Sequence, residues 1–114
     1  MAQEAPNLLH AAAQFDGTGN APVITRSRGI VDAGATKTGA GAYLLPLVDP
    51  VDPSAANAAC LALDAGGAPL ICTCIVVVLG PTDYQLGIGC VDAAGAPTDA
   101  KLYQVTLTKF ATDD

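Results

Sequence analysis

Four cysteines, one histidine, two serines and eleven acidic residues are the groups in this 114-residue chain best suited to chemistry. Cys60, Cys72, Cys74 and Cys90 are the most reactive set. Four thiols allow three disulfide pairings, and an even count in an exported protein would suggest a disulfide framework. Cys72 and Cys74, however, are two positions apart in PLICTCIVVVLGP (69–81). Side chains two apart on a strand stand about 6.5–7 Å apart, whereas a disulfide needs β-carbons about 3.8 Å apart. Zinc sites favour CxxC-type pairs that bend round the metal, and CxC on a straight strand lacks that bend. The four are therefore read as free thiols that fill space as small hydrophobes, with no metal and no cofactor.

A Ser–His–Asp or Cys–His arrangement would have to recruit His10, the sole histidine, with Ser27 or Ser54 as the only serines. His10 lies in the N-terminal stretch, where it is read as a solvated side chain. Asp16 and Asn20 in DGTGN could offer oxygens to a cation, yet Gly17 and Gly19 serve a tight reversal directly. Ten of the eleven acids are Asp, and most stand beside Gly, Pro or Ala, which is turn chemistry. No GxGxxG or phosphate-binding loop is present. These residues do not describe an enzyme.

The elements that must position them are strands. Turn residues cluster at 16–20, 32–41, 49–57, 64–69, 80–83 and 92–99. Between them lie short runs suited to strands at 21–26, 42–48, 58–63, 70–79, 84–91 and 101–110. Short strands spaced evenly between turn clusters predict an antiparallel sandwich or barrel. Helix is plausible only at 6–13. In 84–91, Tyr84, Leu86, Ile88 and Cys90 share a face opposite Gly87 and Gly89, so close approach of another group is expected there. In 101–110, Tyr103, Val105 and Leu107 share a core face opposite Gln104, Thr106 and Thr108. DAGGAPL (64–70) and DAAGAPT (92–98) read as two similar hairpin loops. The run at 70–79 is apolar on both faces: Leu70, Cys72, Cys74, Val76 and Val78 on one, Ile71, Thr73, Ile75, Val77 and Leu79 on the other. A strand dry on both faces needs a third layer, from the N-terminal arm, a long loop or another copy of the chain.

The composition is 51% hydrophobic and 14% charged, with a net charge of −6. That balance suits one folded domain. A phosphate backbone would meet net repulsion, and the five cations form no run, so nucleic acid is not an expected partner. The apolar run at 68–79 is about half the ~20 residues a membrane helix needs, and MAQEAPNLLHAAAQ lacks the basic start of a secretory signal. A soluble, unexported protein is expected, with no membrane partner.

The order of several motifs is more specific than any one of them. QFDGTGNAPVITRSRGI, GAGAYLLPL and YQLGIGCVDAAGAPTDAKLYQVTLTKF together resemble a β-sandwich module of tailed-bacteriophage virion proteins, over roughly residues 13–110. Phe15, Asp16, Gly17, Thr18 and Gly19 match its aromatic strand and Asp-Gly-Thr-Gly turn. Gly39, Gly41 and Tyr43 match its Gly-x-Gly-x-Tyr approach to a strand, and Gly95, Asp99 and Phe110 its last hairpin and closing strand. The resemblance implies an all-β antiparallel sandwich, of jelly-roll or immunoglobulin-like winding, that trimerises as a virion component without catalytic residues. Tail-fibre modules of this kind end long proteins, whereas this chain has about a dozen residues ahead of the module and no shaft repeat.

The expectation is thus a capsid decoration (cement) protein, assembled in the host cytoplasm and placed on the outer shell of the virion. Its partners would be itself, as a homotrimer, and the major capsid protein. The alternative is a tail-fibre or head-fibre tip that binds a host surface or glycan through loops such as 32–41 and 92–99. A secreted disulfide-stapled domain or small hydrolase ranks third. Residues 1–14 are read as an extended arm, with Asn7, Leu8, Leu9 and His10 as its capsid contact, and 15–114 as the sandwich. Cys72, Cys74, Val76 and Val78 are candidates for a core strand or a subunit interface.

Overall fold

Alternation with a period of two builds most of this chain. The computed structural model describes residues 7–110, and within them eight strands form. They are β1 (Asn7–Asp16), β2 (Val23–Arg28), β3 (Thr36–Gly39), β4 (Ala42–Pro46), β5 (Ala56–Leu63), β6 (Pro69–Val78), β7 (Tyr84–Val91) and β8 (Leu102–Phe110). Every pairing is antiparallel, in the order β2-β1-β8-β5-β6-β7-β4-β3. The all-β expectation holds. The strands make one continuous sheet curled into a half-barrel. Just beyond β2 and β4, Ile30 bridges Leu47, which draws the two halves together at one end. Among the described residues no helix is long and apolar enough to cross a membrane.

The core fills the concave side. Leu86, Ile88 and Cys90 of β7 and Tyr103, Val105 and Leu107 of β8 are buried together, as their periodicity predicts, and Tyr43 and Leu45 of β4 join them. The paired glycines of β7 serve close packing on the convex face. A β-carbon on Gly87 would lie 2.9 Å from Val77, and one on Gly89 would lie 3.2 Å from the Thr73 hydroxyl. The two DAxGAP loops are built alike: Asp64 accepts from the amides of Gly66 and Ala68, and Asp92 from those of Ala94 and Ala96. Gly67 and Gly95 hold matching positive φ angles of 85° and 86°. The first loop closes a β5–β6 hairpin. The second leads to β8, which pairs with β1 and β5 instead of β7.

Residues 7–14 are not an arm and not a helix. They form most of β1, inside the sheet between β2 and β8, so the boundary expected after residue 14 falls within a strand. Ala11, Ala13 and Phe15 face the core while Ala12 and Gln14 face outward. Alanine is too small to display that alternation, which is why His-Ala-Ala-Ala reads as arm or helix. Of the expected contact residues, Leu8 and Leu9 are exposed, and the His10 Nε2 lies 3.0 Å from the Asp49 carbonyl oxygen. Asn7 pairs through its backbone with Phe110, whose side chain lies outside the described residues, as do residues 1–6. β3 also departs from expectation, because its Thr-Lys-Thr-Gly sits in what reads as a turn cluster.

Candidate functional site

The motifs that are scattered in sequence converge on one side chain, Lys37. Its ammonium donates to Asp99 Oδ2 at 2.6 Å, to the Gly19 carbonyl at 3.0 Å and to the Gly17 carbonyl at 3.3 Å. All three protons are used. Asp99 Oδ1 accepts from the Gly41 amide at 2.8 Å. The Tyr43 hydroxyl lies 2.8 Å from the Gly17 carbonyl and 3.1 Å from Asp99 Oδ1, and its single proton serves one of them at a time. Tyr103 donates its own hydroxyl proton to Tyr43 at 3.2 Å and accepts from the Ala100 amide at 3.2 Å. Below this knot Phe15 stacks on Tyr103, and Tyr43 meets both rings edge-on, with centroids 4.6–5.3 Å apart.

The local sequence explains each position. Asp16 folds the Asp-Gly-Thr-Gly turn by accepting from the Thr18 amide and hydroxyl. That turn presents the Gly17 and Gly19 carbonyls to Lys37. Gly17 leaves no room for a side chain, since a β-carbon there would collide with the Tyr43 hydroxyl and lie 2.5 Å from the Tyr103 ring. Gly41 turns the chain between β3 and β4 at a φ of 66°, which aims its amide at Asp99. Lys37 and Asp99 are 14% and 28% exposed, so the pair is mostly withdrawn from water.

Asp16, Gly17, Thr18, Gly19, Gly41, Tyr43 and Asp99 therefore gather at one end of the half-barrel. Gly39 and Gly95 stand apart from the knot, since a β-carbon added at either would meet nothing within 4 Å. The motifs do not mark Lys37 or Tyr103 as members. A lone lysine inside a Gly- and Thr-rich run is the available signal, because a cation there has no turn function.

The ionisations follow from the contacts. Burial pushes Asp99 up, but its bonds from Lys37, Gly41 and Tyr43 outweigh that and leave it below the usual carboxylate value. Burial raises the Tyr43 and Tyr103 phenols, so both stay neutral. The hydrogen bond from Lys101, then those from Thr18, lower Asp16 to about 2. A depressed pKa means the folded state binds protons less readily than the unfolded one. Stability from Asp16 and Asp99 is thus fully present above about pH 4, the ordinary Asp range, and is lost as pH falls toward 2. Thermal melts of the wild type should change little from pH 7 to 5 and fall between pH 4 and 2. Asp16→Asn should remove about 0.5–1 kcal/mol of that acid-sensitive stability, the scale of an exposed pair, because Lys101 is mostly exposed. An equal acid slope in the variant would refute the assignment.

The four cysteines are free thiols. Cys60, Cys72, Cys74 and Val76 pack against the core from the inner side of β5 and β6, whereas Val78 extends past the core and is exposed. Burial, then the neighbouring Cys60, raises the Cys72 thiol, and burial pushes Cys74 up to about 12. These groups stay protonated and are poor nucleophiles. Among the described residues no group of three or more His, Cys, Asp or Glu is placed to hold a metal ion.

The second face of β6 lies bare. Ile71 and Ile75 are 56% and 63% exposed, and Leu79, just past the strand, is 55% exposed. β6 also pairs with β5 only through Pro69 and Leu70, so the two strands part beyond that point. β1, which contains the described part of the expected arm, lies in the other half of the sheet. Comparison with known proteins finds no matching family model, no matching curated protein and no matching solved structure.

Proposed function

We propose that this chain is a structural protein of a bacteriophage virion, a decoration protein that trimerises on the outer capsid surface and bridges major capsid subunits. Its role is mechanical and non-enzymatic. The observation that carries this reading is the uncovered apolar face of β6, flanked by a strand edge that β5 leaves largely unpaired. Neither β6 nor β7 contains a charged residue. A second copy laid on that face would give β6 the third layer that its composition demands, and open strand edges are ready templates for pairing. Convergence of the Asp-Gly-Thr-Gly, Gly-x-Tyr and Asp99 motifs in one knot adds support, since it gives their order and spacing a shared physical purpose. In the same reading the halves β2-β1-β8-β5 and β6-β7-β4-β3 act as the two layers of a sandwich. Multivalent contact by a trimer converts modest single affinities into firm retention on a shell.

Sedimentation at micromolar concentration should show three chains per particle. Ile75→Lys should shift that equilibrium toward monomer by at least about a hundredfold, because a buried lysine has no partner on an uncharged face. A stable wild-type monomer, or a trimer indifferent to Ile75→Lys, would overturn the interface. Density on the shell of a purified particle is the expected location. Density at a tail tip alone would replace decoration with a host-binding tip.

A further inference from the structure

The convex face of the other half-sheet carries a second kind of surface. The β1–β2 register shifts between Gln14 and Phe15. That bulge sets Ile24 opposite core-facing Phe15 but turns Arg26 and Arg28 to the outer side, opposite Gln14 and Ala12. Bulges that re-aim side chains in this way recur next to binding sites. The rows then continue across the sheet. Arg28, Ala12, Thr106 and Ala59 stand in one, and Arg26, Gln14, Gln104 and Leu61 in the next. Between the arginines and β8 lies a depression of about 320 Å³, and a shallower one of about 270 Å³ carries it on to β5. Three strand spacings make the trough about 14 Å wide.

In a chain of net charge −6 this spot is locally cationic. The ion pairs among the described residues are Lys37–Asp99 and Lys101–Asp16, and neither guanidinium has a carboxylate partner among those residues. Neither depression has an acid in its lining; the acids at the margin are Asp32, which accepts from Ser27 at 2.5 Å, and Asp49, which shares a separate depression with Arg28 and Lys109.

We infer that this trough is a binding site for an acidic saccharide, with Arg26 and Arg28 holding a sugar carboxylate and Gln14, Gln104 and Thr106 its hydroxyls. A guanidinium suits a planar carboxylate, to which it donates two parallel hydrogen bonds, and the second arginine adds charge and further donors. Side-chain amides and a hydroxyl both donate and accept, as sugar hydroxyls do. Ala12 and Ala59 lower the floor so that a ring can sit between the rows. The trough has no aromatic platform, so charge must supply the affinity that stacking gives to neutral sugars. A peptide strand is disfavoured on this floor, because the backbone of β1 is already paired on both sides by β2 and β8. The site is on the opposite half-sheet from the bare face of β6 and does not depend on the virion reading.

The test is a titration of the 15N-labelled full chain with a glucuronate-containing tetrasaccharide, followed by amide shifts and calorimetry. Saturable shifts confined to Gln14, Gln104, Thr106 and the two arginines are expected. The Arg26→Ala/Arg28→Ala double variant, altered only at exposed positions, should melt like the wild type and bind at least about tenfold more weakly. Four results would overturn the site: no saturable shift, equal shifts from a neutral tetrasaccharide, unchanged binding by the double variant, or tighter binding of polyglutamate. Equal affinity for inorganic sulfate would leave an anion spot and remove the saccharide.

Discussion

Gly41→Ala should lower the free energy of unfolding by about 3–5 kcal/mol, while Gly95→Ala, at a similar backbone angle, should cost only about 1–2 kcal/mol. Both glycines have positive φ, 66° and 86°, so both substitutions carry the penalty of a left-handed residue. The surroundings separate them. A β-carbon on Gly41 would collide with the Cys90 carbonyl oxygen and lie 2.6 Å from that of Thr98. Both are backbone atoms in segments fixed by hydrogen bonds: the Thr98 amide donates to the Cys90 carbonyl, and the Cys90 amide donates to Gly41. Neither can swing aside as a side-chain tip would. Moving Gly41 also withdraws its amide from Asp99. Gly95 has nothing within 4 Å of the added methyl. Urea unfolding of the two variants checks the difference, and equal midpoints would refute the packing around Gly41. A loss of this size is a large share of the roughly 5–15 kcal/mol that keeps a domain folded.

That contrast also shows what the sequence displays and what it hides. Gly41 and Gly95 look alike in a string of turn residues, and only the fold reveals that one is wedged and the other free. The faces of β7 and β8 were legible because Leu, Ile, Val and Tyr alternate with Gly, Gln and Thr. β1 was not, because Ala11 and Ala13 face the core while Ala12 faces out, and alanine looks the same in either place. The knot was half legible. Its glycines, Tyr43 and Asp99 stand in motifs, yet nothing local says that the turn at 16–19 meets residue 99. Lys37 and Tyr103 supply that link through contacts spanning 20 and 62 residues for the lysine and 60 for the tyrosine. The arginine trough was hidden for a different reason. A bulge at Gln14 and Phe15 decides which way Arg26 and Arg28 point, and a one-residue slip of register reverses a whole strand.

Asp99→Asn should cost about 2–4 kcal/mol, and much of that should return when Lys37→Met is added. The single substitution keeps an oxygen for the Gly41 amide and the Tyr43 hydroxyl but leaves the Lys37 ammonium without its counter-charge. Removing one partner of a largely buried pair is far costlier than removing both, because the survivor keeps its desolvation penalty. Lys37→Met alone should likewise destabilise, since it leaves an ionised Asp99 facing no cation. The double variant presents a neutral amide to an apolar chain, and the two carbonyls that Lys37 bound lie partly within reach of water, Gly19 being exposed. A double-mutant cycle from urea unfolding should therefore give a coupling energy of about 1–3 kcal/mol. Additive effects of the two substitutions would mean that the 2.6 Å contact carries no net energy. The knot would then be held by its backbone amides and by the Phe15–Tyr43–Tyr103 cluster. The same cycle repeated as pH falls below the ordinary Asp range should shrink, because protonating Asp99 removes the charge that makes the pair interdependent.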